Sequence, residues 1–268
     1  MPWLDPEGEE PLVGSLAVNP ADDTLWMSTN NGLYRVPRGG PPVKVTGTLI
    51  VPGATGRISE QLVVRFTGPD ELLASGHPGD EAGELPAVLG LLRSDDAGRS
   101  WTAVSELGSA DFHAIERSGG RVIGALFGES QVLVSYDEGA TWQGRAAPAV
   151  LVDLAVHPTD PARWVATAAD GVFLTRDEGG TWRPVDETPD AYVAWPAPDA
   201  LYRLDPGGTV LRSADGGRSW EEMGSAGGEP LALTAAGDQT LYAALADGSV
   251  RRSADGGATW RDHLAPPD

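Results

Sequence analysis

The 268-residue chain contains no cysteine, so disulfides and thiolate-based metal or redox chemistry are excluded. It also lacks any apolar run near the roughly 20 residues that a membrane-spanning helix needs. The stretch from Leu85 to Leu92 is the sort of apolar patch present, and Pro86 and Gly90 interrupt it. Basic residues are scarce. Only 19 Lys and Arg stand against 39 Asp and Glu, a formal net charge of −20. So negative a surface repels phosphate backbones and anionic lipid, which argues against nucleic acid and membrane insertion. It leaves small polar molecules, glycans and protein ligands as partners. No phosphate-cradling glycine loop, nucleophile elbow or nucleotide fingerprint occurs, so no nucleotide cofactor is expected. The start, Met1-Pro2-Trp3-Leu4-Asp5, shows neither a basic n-region nor an apolar h-region. The expectation is an extracytoplasmic protein if an export signal has been removed, and a cytoplasmic one otherwise.

What is abundant is turn chemistry. With 35 Gly, 22 Pro and 41% hydrophobic residues, the composition suits many short strands. Within it, the pattern Ser/Thr-x-Asp-x-Gly-x-Ser/Thr-Trp occurs five times, at Ser94 to Trp101, Ser135 to Trp142, Thr175 to Trp182, Ser213 to Trp220 and Ser253 to Trp260. The closing tryptophans are 41, 40, 38 and 40 residues apart, a near-constant period that marks a repeat fold. Each position has a physical task. An Asp in a turn accepts hydrogen bonds from backbone N–H groups further along, and Gly supplies positive φ without steric cost. The Trp offers a large apolar body for packing between sheets. Structural roles in these boxes are assigned to Asp95, Asp137, Asp177, Asp215 and Asp255, and to Trp101, Trp142, Trp182, Trp220 and Trp260.

Short β-rich segments precede each box, such as Val172-Phe173-Leu174, Trp164-Val165-Ala166-Thr167 and Val152-Asp153-Leu154-Ala155-Val156. With the strand after each Trp they make four strands per unit, the recipe of a propeller blade. An N-terminal unit repeats the first three strands, while its hairpin, Pro37 to Pro42, has lost the Asp and Trp. The fold expected is therefore all-β, a single six-bladed β-propeller over 1–268. Its four-stranded antiparallel blades fall near 12–47, 58–107, 110–147, 150–187, 190–225 and 229–265.

Chain polarity then sorts residues by face. Loops from an outer strand to the next inner strand share one rim, the upper face, with the turns between second and third strands. The boxes share the other rim. A calcium loop is excluded, because the twelfth position counted from Asp177 is Thr188 and from Asp215 is Ala226; from Asp95 it is Glu106, but Ala97 and Arg99 then occupy ligand positions. Blade 2 carries an unusually long upper excursion, Gly76 to Pro86, and such insertions often mark a binding face. Catalytic candidates on this face are Glu60, Asp111, His113, Glu129 and Asp153. Ligand-binding candidates are His77, Asp80, Tyr192 and Trp195. His77 and His113, with Asp80, Asp111 or Glu129, make the candidate metal site, so a divalent metal is the one cofactor left open.

The boxes resemble those of the BNR/Asp-box superfamily, which includes sialidases and sortilin-type propellers. Ala74-Ser75-Gly76-His77-Pro78-Gly79, Leu89 to Ser94 and Asp111-Phe112-His113-Ala114 are similar to a bacterial, exported group named glycosyl hydrolase-like. The resemblance spans essentially the whole chain and implies Asp-box hairpins on a propeller. Where that group opens its first blade with His-x-His-Gly, this chain has Val13-Gly14-Ser15. Sialidase likeness would imply an arginine triad, a Tyr/Glu nucleophile pair and an Asp acid/base. Tyr34-Arg35-Val36-Pro37 is similar to the sialidase Phe-Arg-Ile-Pro motif, but it falls on a third strand, and classical sialidase activity is not expected. Three functions follow: a ligand-binding or scaffold propeller with an acidic upper-face pocket, a glycosidase-like hydrolase or lyase whose paired carboxylates stand roughly 5–9.5 Å apart, and a His/carboxylate metal-binding protein.

Overall fold

The computed structural model describes residues 12–58, 62–79 and 83–266, and every regular element among them is a β-strand. The strands make six sheets, and in five of them four consecutive strands run in chain order from the inside outward. The inner strands are Val13–Val18, Leu62–Phe66, Phe112–Ser118, Leu151–Val156, Tyr192–Ala197 and Pro230–Ala236. Each touches the next and the last touches the first, so the chain is a closed six-bladed β-propeller.

Blades stack face to face, which buries both sides of their middle strands. A strand covered on both faces reads as a near-continuous small or apolar run. Leu25–Thr29, Trp164–Ala168 and Ala200–Leu204 are accordingly buried at every position. Among the described residues the ring closes without exchange of a strand between blades. Blade 1 takes its four strands from Val13–Val18 through Val43–Val45, and blade 6 from Pro230–Ala236 through Arg261–Leu264. Their seam is a shared core in which Met27, Tyr34 and Val36 meet Tyr242, Ala244 and Val250.

An inner strand has one edge on the channel, and its backbone donors there need partners. Short polar side chains of the preceding blade supply them. Leu62 N donates to Ser28 Oγ at 2.8 Å, Phe112 N to Ser75 Oγ at 3.1 Å and Val193 N to Asp153 Oδ2 at 2.9 Å. In the opposite sense, Ser118 Oγ donates to His157 O at 2.8 Å. Ser28 and Ser75 of second strands, with Ser118 and Asp153 of inner strands, thus clasp neighbouring blades.

Blade 2 departs from the expectation of four strands. A hairpin of Gly47–Val51 and Ala54–Ile58 joins its outer edge, and Gly47–Val51 runs parallel to the blade's outer strand Ser100–Ser105. Leu49 and Ile58 of this hairpin lie in one core with Trp101. An exposed edge strand is thereby covered. The signal in the sequence was an apolar alternation on either side of Pro52-Gly53, in a segment the repeat left unassigned.

The box hairpins share one hydrogen-bond pattern. In blade 4, Thr175 Oγ1 donates to Asp177 Oδ1, while Thr181 N and Oγ1 donate to Oδ1 and Oδ2, all at 2.8 Å. Asp137, Asp215 and Asp255 are held likewise. Blade 2 corrects one assignment. Asp96, not Asp95, accepts from Ser94 Oγ, Ser100 N and Ser100 Oγ, because the third position of the box faces back into the turn. Asp95 instead pairs with Arg93 at 2.7 Å on the surface. Thermal melts should separate the two: Asp96→Ala lowers the midpoint clearly, Asp95→Ala barely moves it, and the reverse order would contradict this assignment.

Candidate functional site

Backbone bonds between turns identify the two rims. On the upper rim, turns between second and third strands bond to the residues that lead into inner strands: Gly90 N to Ala110 O, Phe127 N to Asp111 O, Asp190 N to Ala168 O and Ala246 N to Glu229 O. On the opposite rim, box hairpins bond to turns between first and second strands, as in Ala97 N to Asp70 O and Glu178 N to Ala162 O. The excursion from Gly76 belongs to the upper rim, and Leu89 N closes it by donating to Gly76 O at 2.9 Å.

Asp111 is the centre of that rim. It stands one residue before the inner strand of blade 3, so its side chain meets the excursion of blade 2. His77 Nε2 lies 3.3 Å and His113 Nε2 3.5 Å from Asp111 Oδ2. His77 Nδ1 is 2.9 Å from Ala87 O, and since a carbonyl only accepts, the ring donates there. The opposite ring nitrogen, Nε2, is the one that faces Asp111. The carboxylate is 13% exposed, and its Oδ1 is buried without a protein partner. Burial works to raise the Asp111 pKa, but the hydrogen bond and charge of His113 and the charge of His77 outweigh it and hold the group below the usual carboxylate range. Beside it, the Phe127 ring stacks on His113 at 4.1 Å between centroids and is itself 62% exposed. Glu129, exposed, shares the turn of Phe127.

A second cluster lies deeper, in the central channel, which holds a cavity of about 130 Å³. Arg65 and Glu116, from the inner strands of blades 2 and 3, form an ion pair at 2.7 Å. Asp153, from blade 4, spends Oδ1 on Leu154 N and Oδ2 on Val193 N. Removal from bulk water dominates here. Burial pushes Glu116 up to about 7, with Arg65 opposing and Asp153 reinforcing the shift. Burial likewise takes Asp153 to about 7 against its two N–H donors. Tyr192 at the channel wall is pushed up to about 12, mainly by burial and then by Asp153, Asp190 and Glu229.

The structure thus brings His77, Asp111 and His113 together and sets Asp153 and Tyr192 below them. It does not bring Trp195 to this rim. Four residues into its strand region, Trp195 is buried toward the box side, edge-on to His157 at 4.9 Å and under the Arg163 guanidinium at 5.4 Å, so the ligand-binding assignment of Trp195 is corrected to a packing role. Glu60 and Asp80 lie outside the described residues. Among the described residues no group of three His, Asp or Glu is arranged to hold a metal ion. Sequence reasoning missed Arg65, Glu116 and Phe127. The available signal for Arg65 was a charge between Val64 and Phe66 inside an inner strand; Glu116, followed by Arg117, offered none as clear.

No protein-family model matches the chain, and no curated protein sequence does. Solved structures do match. The Neurospora crassa Pan2 WD40 domain superposes with a TM-score of 0.63 at 12% identity, over 93% of this chain and 91% of that one. The likeness shows a β-propeller. YCF48 bound to D1 peptide follows with a TM-score of 0.53 at 19% identity, over 95% of this chain and 81% of that one. The GH74 xyloglucanase from Xanthomonas campestris gives 0.55 at 22% identity, over 94% of this chain but only 38% of that longer one. At such identities these matches speak for the fold alone.

Proposed function

We propose that this propeller is a binding scaffold whose upper rim receives a basic segment of another polypeptide. The observation that carries the reading is the exposed Phe127 ring, stacked on His113 beside the Asp111 carboxylate. An exposed aromatic on an acidic rim suits a cationic side chain and its neighbours. On the same rim, Glu84, Glu129, Asp170, Asp190 and Glu229 are exposed and form no ion pair with a described residue. Arg203, which reaches this rim from blade 5, is already engaged by Asp186 and Asp205. A neighbour of the same fold, YCF48, is known bound to a peptide, which supports the mode of use.

The test is an array of short basic, neutral and acidic peptides, read at physiological salt where simple charge attraction is screened. Basic peptides that also carry an aromatic residue should bind, and Phe127→Ala should weaken them on the order of tenfold, as for a central aromatic anchor. Binding that ignores Phe127, or that favours acidic peptides, would refute the reading.

A hydrolase is the second reading, favoured by one observation: two carboxylates in one channel, each held near pH 7, as a general acid requires. Against it stands their use, since Asp153 is bonded to two backbone N–H groups and Glu116 to Arg65. Arg65 is also the sole arginine lining the channel cavity among the described residues, where a sialidase-like carboxylate clamp would need several.

A further inference from the structure

The geometry points to a second binding site, for a small ring-bearing oxyanion, on the outer wall between blades 4 and 5. A cavity of about 390 Å³ opens there, within the usual range for ligand pockets. Arg176, Arg183 and Arg218 line it together with Trp182. The grouping follows from local structure. Arg176 follows the third strand of blade 4, Gly171–Thr175, and Arg183 opens the outer strand Arg183–Asp186, so both sit at the same end of one antiparallel pair. Arg218 comes from the box hairpin of the next blade. Gly217, at φ +85°, lets that hairpin close on blade 4, where even a Cβ would stand 3.1 Å from the Leu174 side chain.

All three arginines are exposed, and none makes an ion pair, side-chain hydrogen bond or stacking contact with a described residue. That is unexpected in a chain with twice as many acids as bases. Of the acids nearest in sequence, Asp177 and Asp215 are turned into their own hairpins and Glu178 pairs with Arg121. Three unpaired guanidiniums from two blades form a fork-shaped donor set for a carboxylate, sulfate or phosphate. Trp182 is fixed by its Nε1, which donates to Ala146 O at 3.0 Å, and so offers a rigid wall for the apolar face of a sugar ring.

The site is separate from the upper rim, so its test does not depend on the peptide reading. Binding of inorganic sulfate, glucuronate and glucose is followed by calorimetry and by the Trp182 indole N–H resonance. Glucuronate should bind, sulfate on the order of tenfold more weakly, and glucose not at all. Arg218→Gln should abolish glucuronate binding while the other indole resonances stay in place, which shows that the variant is folded. Trp182→Leu should bring glucuronate down to the level of sulfate. Equal binding of sulfate and glucuronate, binding of glucose, or glucuronate binding unaffected by Arg218→Gln would each overturn the proposal.

Discussion

Replacing Glu116 by Gln should flatten the pH dependence of stability between pH 4 and 8. The wild-type carboxyl titrates near 7 in the folded protein and near 4.3 in the unfolded chain. Its folded pKa is raised, so across that window the native state holds more of the proton than the unfolded state does. Stability therefore falls as pH rises from about 4 through about 7, and is level beyond it. The side chain is only 12% exposed, and that exposure is to the channel. At about 1.36 kcal/mol per unit, the single group accounts for about 3 kcal/mol lost over the window. Asp153 adds a loss of the same sign. His157 and His263, whose pKa values are lowered chiefly by burial, work the other way below about 6.5, so the raw wild-type curve is a compromise. The difference between wild type and Glu116→Gln isolates the group. Denaturant titrations at several pH values should show that difference shifting by about 3 kcal/mol in favour of the variant toward pH 8. A pH-independent difference would mean that Glu116 is ionised throughout.

The second large effect is expected at the seam of blades 4 and 5. The Arg203 side chain is 4% exposed; its Nε lies 2.7 Å from Asp205 Oδ1 and its Nη1 3.0 Å from Asp186 Oδ2, with the guanidinium 5.0 Å above the Trp220 ring. Removing Asp205 leaves the buried guanidinium with Asp186 as its one remaining carboxylate partner. Asp205→Ala should cost about 3 kcal/mol. Adding Arg203→Met to that variant should restore much of the loss, since the buried charge goes with it. Chemical denaturation of both single variants and the double decides this; simple additivity would show that the three side chains act independently.

These two sites mark where sequence reading stopped. The period of the tryptophans gave the blades, and strand polarity gave the rims, because both follow from local turn chemistry repeated along the chain. The meeting of His77 and His113 was legible for the same reason: one sits in an upper loop and the other at the start of the adjacent inner strand. Asp111 was legible as an acid of that rim, but not as the residue that joins them. Trp195 was misplaced because counting strand starts ignores how far along a strand a residue sits, and Trp195 lies far enough down to face the other rim. Asp205 stands in an upper-rim turn, and nothing local in the sequence reveals that Arg203 comes up beneath it. Arg65 and Glu116 meet only when two inner strands distant in sequence are brought side by side. The hairpin Gly47–Val51 and Ala54–Ile58 escaped because it breaks the repeat. For Arg65 and Glu116 the missing information was a contact between blades, which a repeat pattern does not encode.

The scaffold reading is tested most directly by hydrogen–deuterium exchange with a basic, aromatic-containing peptide that the array identifies as a binder. Protection should gather at the turn of Phe127 to Ser130, the segment around Asp111 and His113, and the ends of the blade 2 excursion. Protection confined to the box hairpins, or spread evenly over the acidic surface, would contradict it.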